Sequence, residues 1–126
     1  MSRATTTAAS LKADVSPEEW QTRVELAAAF RLCALKGWDE LLFAHISAEV
    51  PGEPDNILMH PASMLFEEIT ASKLLKLDRE CQHVIPSDQP AHSFAFPAHR
   101  AILDGMPDAK CVVHLPSKAG TAIAMQ

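Results

Sequence analysis

The sequence has 126 residues, room for one domain of ordinary size, with the 48% apolar and 21% charged content of an average soluble globular chain. Sixteen Asp and Glu against 11 Lys and Arg give a net charge of -5, which excludes the basic face that a nucleic-acid binder needs. No run reaches the ~18 consecutive apolar residues of a membrane helix, and the three scattered cysteines (Cys33, Cys81, Cys111) form neither a disulfide framework nor a C-x-x-C zinc site, so a reduced, cytoplasmic setting is expected.

Met1–Val15 is rich in Thr, Ala and Ser and lacks the apolar centre of a secretory signal. Residues 1–16 therefore read as a disordered tail. Structure is expected from Ser16-Pro17-Glu18-Glu19, with Ser16 as N-cap, Pro17 in the first turn and Glu19 closing a capping box. Trp20, Val24, Ala27, Ala28, Leu32 and Leu35 then mark the apolar spacing of a helix that stops at Gly37.

From Leu42 the period drops to two. Leu42, Ala44, Ile46, Ala48 and Val50 alternate with Phe43, His45, Ser47 and Glu49, which predicts a strand buried on one face. A turn over Pro51–Asn56 and a short strand over Ile57–His60 complete a hairpin. Thr70–Lys73 predicts one helical turn, Leu74–Leu77 a strand, Pro97–Leu103 a helix ended at Gly105, and Lys110–His114 an apolar strand. Ser117 opens a last helix with no stop signal before Gln126, so the chain reads as the front part of something longer. The element order, without repeat or linker, gives one layered α/β or α+β domain over residues 17–126.

Six histidines are the most informative polar residues: His45, His60, His83, His92, His99 and His114. Taken singly, most read as solvated or structural groups. His114 differs because it ends a strand just before a helix, where α/β proteins build their sites. A second histidine two residues on would point the same way and complete half of a zinc site. That residue is Pro116, which has no ligand atom. Glycine-rich phosphate loops and a G-x-S-x-G elbow are absent from the sequence, and the adjacent Glu67 and Glu68 face apart as in a solvated turn.

Four segments carry a resemblance. Gln21-Thr22-Arg23 through Trp38, F-A-H-I-S-A-E-V-P-G (Phe43–Gly52), M-H-P-A-S-M-L-F-E-E-I-T-A-S-K-L-L-K-L-D (Met59–Asp78) and H-R-A-I-L-D-G-M-P-D-A-K-C-V-V-H (His99–His114) together resemble the class II aldolase/adducin family. The resemblance covers residues 17–126. It implies a three-layer α/β/α domain around a mainly antiparallel sheet, incomplete here at the C-terminus. Enzymes of this family are aldehyde lyases and epimerases that use a divalent metal, usually zinc, on small sugar or hydroxy-acid phosphates. They are typically homotetramers, whereas adducins use the same domain as a non-catalytic module of the membrane skeleton.

Carried over by position, the resemblance assigns His114 as a metal ligand. It sets Pro116 where the family's His-x-His strand has its second histidine, and it puts the third beyond Gln126. The glutamate four residues before the position of His99 is Ala95 here, and the Thr-Gly of the phosphate-binding loop corresponds to Ala62 and Ser63. His45 stands for an asparagine, as in the adducin-like branch, and Cys81 stands where a glycine is usual. The resulting expectation is a chain that has no catalytic residues, retains no zinc, is inactive alone and assembles as a homo-oligomer. The alternative is an adducin-like oligomerisation or cytoskeletal binding module.

Overall fold

The computed structural model describes residues 8–40 and 43–126. The expectations for residues 1–7 and for Leu42 fall outside these. Within the expected tail, a short helix α1 (Ala8–Asp14) forms and buries Leu11, while the Lys12 ammonium lies 5.8 Å over the Trp20 ring. One apolar side chain with a surface to rest on is enough to order part of a segment that composition alone leaves unstructured.

Helix α2 (Pro17–Leu35) starts as its residues dictate. The Glu19 N–H donates to the Ser16 hydroxyl at 3.0 Å, and Pro17 occupies the first turn, where its missing N–H costs nothing. The capping box is only half made, because the Glu19 carboxylate turns into the core instead. Glu19, Arg23, Leu26, Ala27, Phe30 and Cys33 are buried at helical spacing. This corrects the predicted apolar face. Val24, Leu32 and Leu35 are 42%, 58% and 80% exposed and Ala28 is exposed with them, while Ala27 is buried and Trp20 half-buried. The helix is apolar on both sides, and two charged residues occupy the core-facing stripe.

Those charges are held by a cross-link to the sheet. Glu19 accepts from Arg23 Nε at 2.9 Å and pairs with Lys76 Nζ at 2.8 Å, and Lys76 also reaches Glu53 at 2.8 Å. Arg23 Nη2 sits 2.9 Å from the same Glu19 oxygen without the alignment of a hydrogen bond. Arg23 Nη1 donates to the Leu74 carbonyl at 2.7 Å. Burial alone would lower the Lys76 ammonium, but the two glutamates outweigh it and the net shift is upward.

Four antiparallel strands follow in the order β3-β2-β1-β4: β1 (His45–Val50), β2 (Glu53–Met59), β3 (Leu75–Leu77) and β4 (Cys111–His114). The β1–β2 turn is tighter than predicted. Gly52, at φ +76°, reverses the chain in a left-handed conformation that only glycine adopts freely, so β2 begins at Glu53. A 3-10 turn (Phe66–Glu68) and helices α3 (Phe96–Gly105) and α4 (Lys118–Ala124) complete the elements.

The alternation of β1 separates two cores. Ile46, Ala48 and Leu58 pack with Leu26 and Phe30 of α2 on one face. On the other, Ile57, Met59, Leu75 and Leu77 pack with Phe96 and Leu103 of α3. The architecture is the expected three-layer α/β/α sandwich around an antiparallel sheet. One strand expectation changes: β1 is buried on both faces, because His45 and Ser47 lie beneath α3 rather than in water.

Candidate functional site

Five of the six histidines converge where β1, the end of β2, the loop before α3, α3 itself and the end of β4 meet. His45 and Ser47 share one face of β1 because they are two residues apart. His99, in the first turn of α3, sits over both: its Nδ1 is 2.6 Å from the Ser47 hydroxyl and its Nε2 is 2.6 Å from His45 Nδ1. His114 pairs with His45 in the β1–β4 register and stacks on its ring, with centroids 4.5 Å apart and planes 15° apart. A second pair joins His60 and His92 through their Nε2 atoms at 2.9 Å, and the His92 and His45 centroids are 6.0 Å apart.

Burial sets the electrostatics. His60, His92 and His99 are at most 1% exposed, whereas His114 is exposed. Desolvation, followed by neighbouring imidazoles, lowers His60 to about 3 and both His45 and His99 to about 4. Burial also lowers His92. The buried imidazoles are therefore neutral near pH 7, each with one N–H donor and one acceptor nitrogen. Groups with such low affinity for protons are weak general bases at neutral pH. Each Nε2–Nε2 or Nδ1–Nε2 contact can hold only one proton, so the pairs consume donor and acceptor nitrogens in each other. The Nδ1 atoms of His60 and His92 are buried with no hydrogen-bond partner among the described residues.

The residues singled out by sequence fall in two places. His114 lies in the cluster, at the end of β4. Pro116 follows it two residues on, between β4 and α4. Ala95 is the N-terminal cap of α3 and offers no side-chain oxygen there. Ala62 and Ser63 sit in the loop after β2, where the Ala62 N–H donates to the Pro90 carbonyl at 2.8 Å and the Ser63 hydroxyl to Gln89 at 2.9 Å. Both donors are thus engaged within the chain. Among the described residues, no group of three or more His, Cys, Asp or Glu is arranged to hold a metal ion. The donor set does not fit the zinc that the resemblance implies, since a catalytic zinc takes three protein ligands.

Taking the histidines one at a time missed the cluster. The one local signal was His45-x-Ser47 at strand spacing followed by His99 near a helix start; His60 and His92 are brought in only by tertiary structure. A shallow cleft elsewhere, beside α3, is lined by Arg79, Cys81 and Arg100 and by none of the histidines. Both its guanidiniums are already paired with Asp104.

Known proteins share this arrangement of elements. The sequence profile of the class II aldolase and adducin N-terminal domain matches residues 24–126. A Pseudomonas aeruginosa protein named "Putative aldolase class 2 protein" is 44% identical over 118 residues, which is 94% of this chain and 45% of that one. Alpha-adducin of Rattus norvegicus is 36% identical over 104 residues, covering 81% of this chain and 14% of the adducin. Among solved structures, an aldolase II superfamily protein from Pseudomonas syringae superposes with a TM-score of 0.88 at 39% identity, over 93% of this chain and 47% of that one. An L-fuculose 1-phosphate aldolase from Glaciozyma antarctica shares the fold, with a TM-score of 0.79 at 22% identity over 98% of this chain and 47% of that one. The chain thus spans about half the length of the aldolase-named relatives it matches. It belongs to the class II aldolase and adducin N-terminal domain family.

Proposed function

We propose that this chain descends from a divalent-metal aldehyde lyase or epimerase acting on small sugar or hydroxy-acid phosphates, and that its own residues do not carry the chemistry. The observation behind this reading is the donor set around His114. Pro116 and Ala95 stand where a second imidazole and a carboxylate would be needed, and His45 and His99 are hydrogen-bonded to each other. One exposed imidazole binds zinc weakly, because affinity comes from several ligands held together. Without a Lewis acid, nothing in the cluster stabilises the enediolate of carbon–carbon cleavage. His114 is the inherited metal position, and Ala62 and Ser63 the inherited phosphate-loop positions. A cytoplasmic homo-oligomer, tetrameric in the manner of the family, is part of the same reading.

The test is elemental analysis and turnover on the purified chain. We expect less than about one zinc per ten chains at micromolar metal, on the ground that a single ligand does not make a site. No retro-aldol turnover above a His114→Ala control is expected. Stoichiometric zinc that disappears in His114→Ala, or clear turnover by the chain itself, would overturn the reading.

A second reading has its own observation. His45, which the resemblance places in the adducin-like branch, is built into the buried hydrogen-bond chain, so this site is organised around an imidazole that lyase chemistry does not require. On that reading the domain is a non-catalytic binding or oligomerisation module. The discriminating measurement is association with a protein partner by a His45→Asn variant, which should be unaffected if the site itself has no role.

A further inference from the structure

Ser47, His99 and His45 form a hydrogen-bonded file that is sealed at one end and open at the other. Ser47 is fully buried, and among the described residues its hydroxyl has a single hydrogen-bond partner, His99 Nδ1, at 2.6 Å. His99 Nε2 in turn meets His45 Nδ1 at 2.6 Å. His45 Nε2 bonds to nothing among the described residues. It is also not one of the unpartnered ring nitrogens sealed from solvent, which are the Nδ1 atoms of His60, His83 and His92. The exposed rings of Phe94 and His114 flank it, with centroids 6.1 and 4.5 Å from that of His45.

Two neutral rings can carry their protons along this file in two orders. In the first, the Ser47 hydroxyl donates to His99 Nδ1, His99 Nε2–H donates to His45 Nδ1, and the His45 proton sits on the outward Nε2. In the second, His45 Nδ1–H donates to His99 Nε2, and His99 Nδ1–H donates to the Ser47 oxygen. His45 Nε2 is then a bare acceptor, and the buried Ser47 proton has no acceptor left among the described residues. Stranding a buried donor disfavours the second order by about 10-fold or more. We infer that Ser47 is a positioning residue which, through His99, holds His45 in the tautomer that offers a neutral N–H donor at Nε2 to a ligand oxygen. The preference comes from buried groups of this chain alone, so it goes beyond the proposed loss of metal chemistry and does not depend on it. A carbonyl or hydroxyl oxygen fits such a donor, whereas an ammonium group, which has protons and no lone pair, does not.

Nitrogen-15 NMR of the full chain with labelled histidines tests this at pH 7.5, because protonated and bare ring nitrogens differ in chemical shift. The signals lost in His45→Asn identify the ring. Both His45 and His99 are expected to carry their protons on Nε2. Ser47→Ala should mix the two tautomers of His45, and Ser47→Thr, which keeps the hydroxyl, should retain the parent pattern. A packing role alone would not produce that split. Acetone, an acceptor without donors, should shift the His45 Nε2–H signal, and methylammonium, a donor without acceptors, should leave it unmoved. A His45 ring protonated on Nδ1 in the parent chain would overturn the inference whether or not the variants fold. Parent tautomers retained in a folded Ser47→Ala would overturn the role of Ser47. A signal that ignores acetone, or that answers to methylammonium instead, would overturn the assignment of His45 as the donor to a ligand oxygen.

Discussion

His99 Nε2 lies 2.6 Å from His45 Nδ1, and the two rings sit on different layers of the sandwich, one on α3 and the other on β1. The contact is a bolt between helix and sheet, and Ser47 extends it on the far side of His99. One proton serves each contact, so the chain Ser47–His99–His45 has two consistent proton orders, both with neutral rings. A proton added to His99 would remove an acceptor and leave a buried charge facing its neighbours.

The dependence of stability on pH follows from this. His60 is lowered to about 3 and His99 to about 4, mainly by burial, while the unfolded chain protonates them near ~6.5. Between those values the unfolded chain binds protons that the folded chain does not. Stability is therefore complete above about pH 6.5 and is lost as pH falls toward 4 and then 3, at roughly 1.4 kcal/mol per pH unit per imidazole before coupling reduces the sum. Urea midpoints at pH 7.5, 6.0 and 5.0 should fall in that order. An unchanged midpoint at pH 5.0 would mean that the rings are not buried as neutral groups.

Substitution should separate the bolt from the exposed ring. His99→Ala removes two buried hydrogen bonds and leaves a void beneath α3, at a cost of about 2–4 kcal/mol. His114→Ala touches an exposed ring and should cost under ~1 kcal/mol. Urea unfolding at pH 7.5 measures both, and equal losses would contradict the layered arrangement.

The charged cross-link gives a sharper contrast. Glu19 is 1% exposed and pairs with both Arg23 and Lys76, with Glu53 supplying the second carboxylate to Lys76. Glu19→Gln should destabilise by about 3–5 kcal/mol, since it leaves two cations without their common partner in the core. Lys76→Met should cost less, because Glu19 keeps Arg23 and the methionine fills similar space. A reversed order in chemical denaturation would show that Lys76, not Glu19, is the centre of the network.

How legible all this was depended on whether the cause was local. Caps, turns and the period-two alternation are local, and Ser16, Gly37, Gly105 and the strands around Ile57, Leu75 and Val112 fell where their neighbours put them. The inner face of α2 was not legible. Its polar members, Glu19 and Arg23, are stable inside only because Lys76 and the Leu74 carbonyl arrive from 51–57 residues away. The histidine cluster was hidden for the same reason. Ala62 and Ser63 could be placed in a loop from sequence, but the internal use of their donors by Pro90 and Gln89 could not.

Cys81 is the one non-glycine residue with positive φ among the described residues, at +61°. Its turn is built by Asp78, whose carboxylate accepts from the N–H groups of Glu80 and Gln82 at 2.9 Å each. The left-handed conformation costs an ordinary side chain about 1–2 kcal/mol, part of which a glycine gives back as unfolded-state entropy. Cys81→Gly should therefore stabilise by up to ~1 kcal/mol, whereas the β-branched Cys81→Val should destabilise by more than ~1 kcal/mol. Thermal melts of the two variants against the parent chain decide it, and a Val variant as stable as the Gly variant would refute the backbone argument.

Restoring the second imidazole tests the proposed loss of metal chemistry most directly. Pro116→His would set a new ring two residues after His114, with the His45 ring already stacked beside it at 4.5 Å. Two ligands raise affinity over one, and cobalt uptake followed by absorbance should become measurable in the variant and exceed that of the parent chain. The proline also fixes φ in the link between β4 and α4, so its loss should loosen α4, which buries no residue. Turnover is a different matter. A catalytic zinc usually has three protein ligands and an open position, and the buried imidazoles are already bonded to one another. Pro116→His should therefore bind cobalt or zinc and still fail to cleave sugar-phosphate aldol substrates. Cleavage by this variant, abolished by adding His114→Ala, would show that the single proline was all that separated the chain from activity.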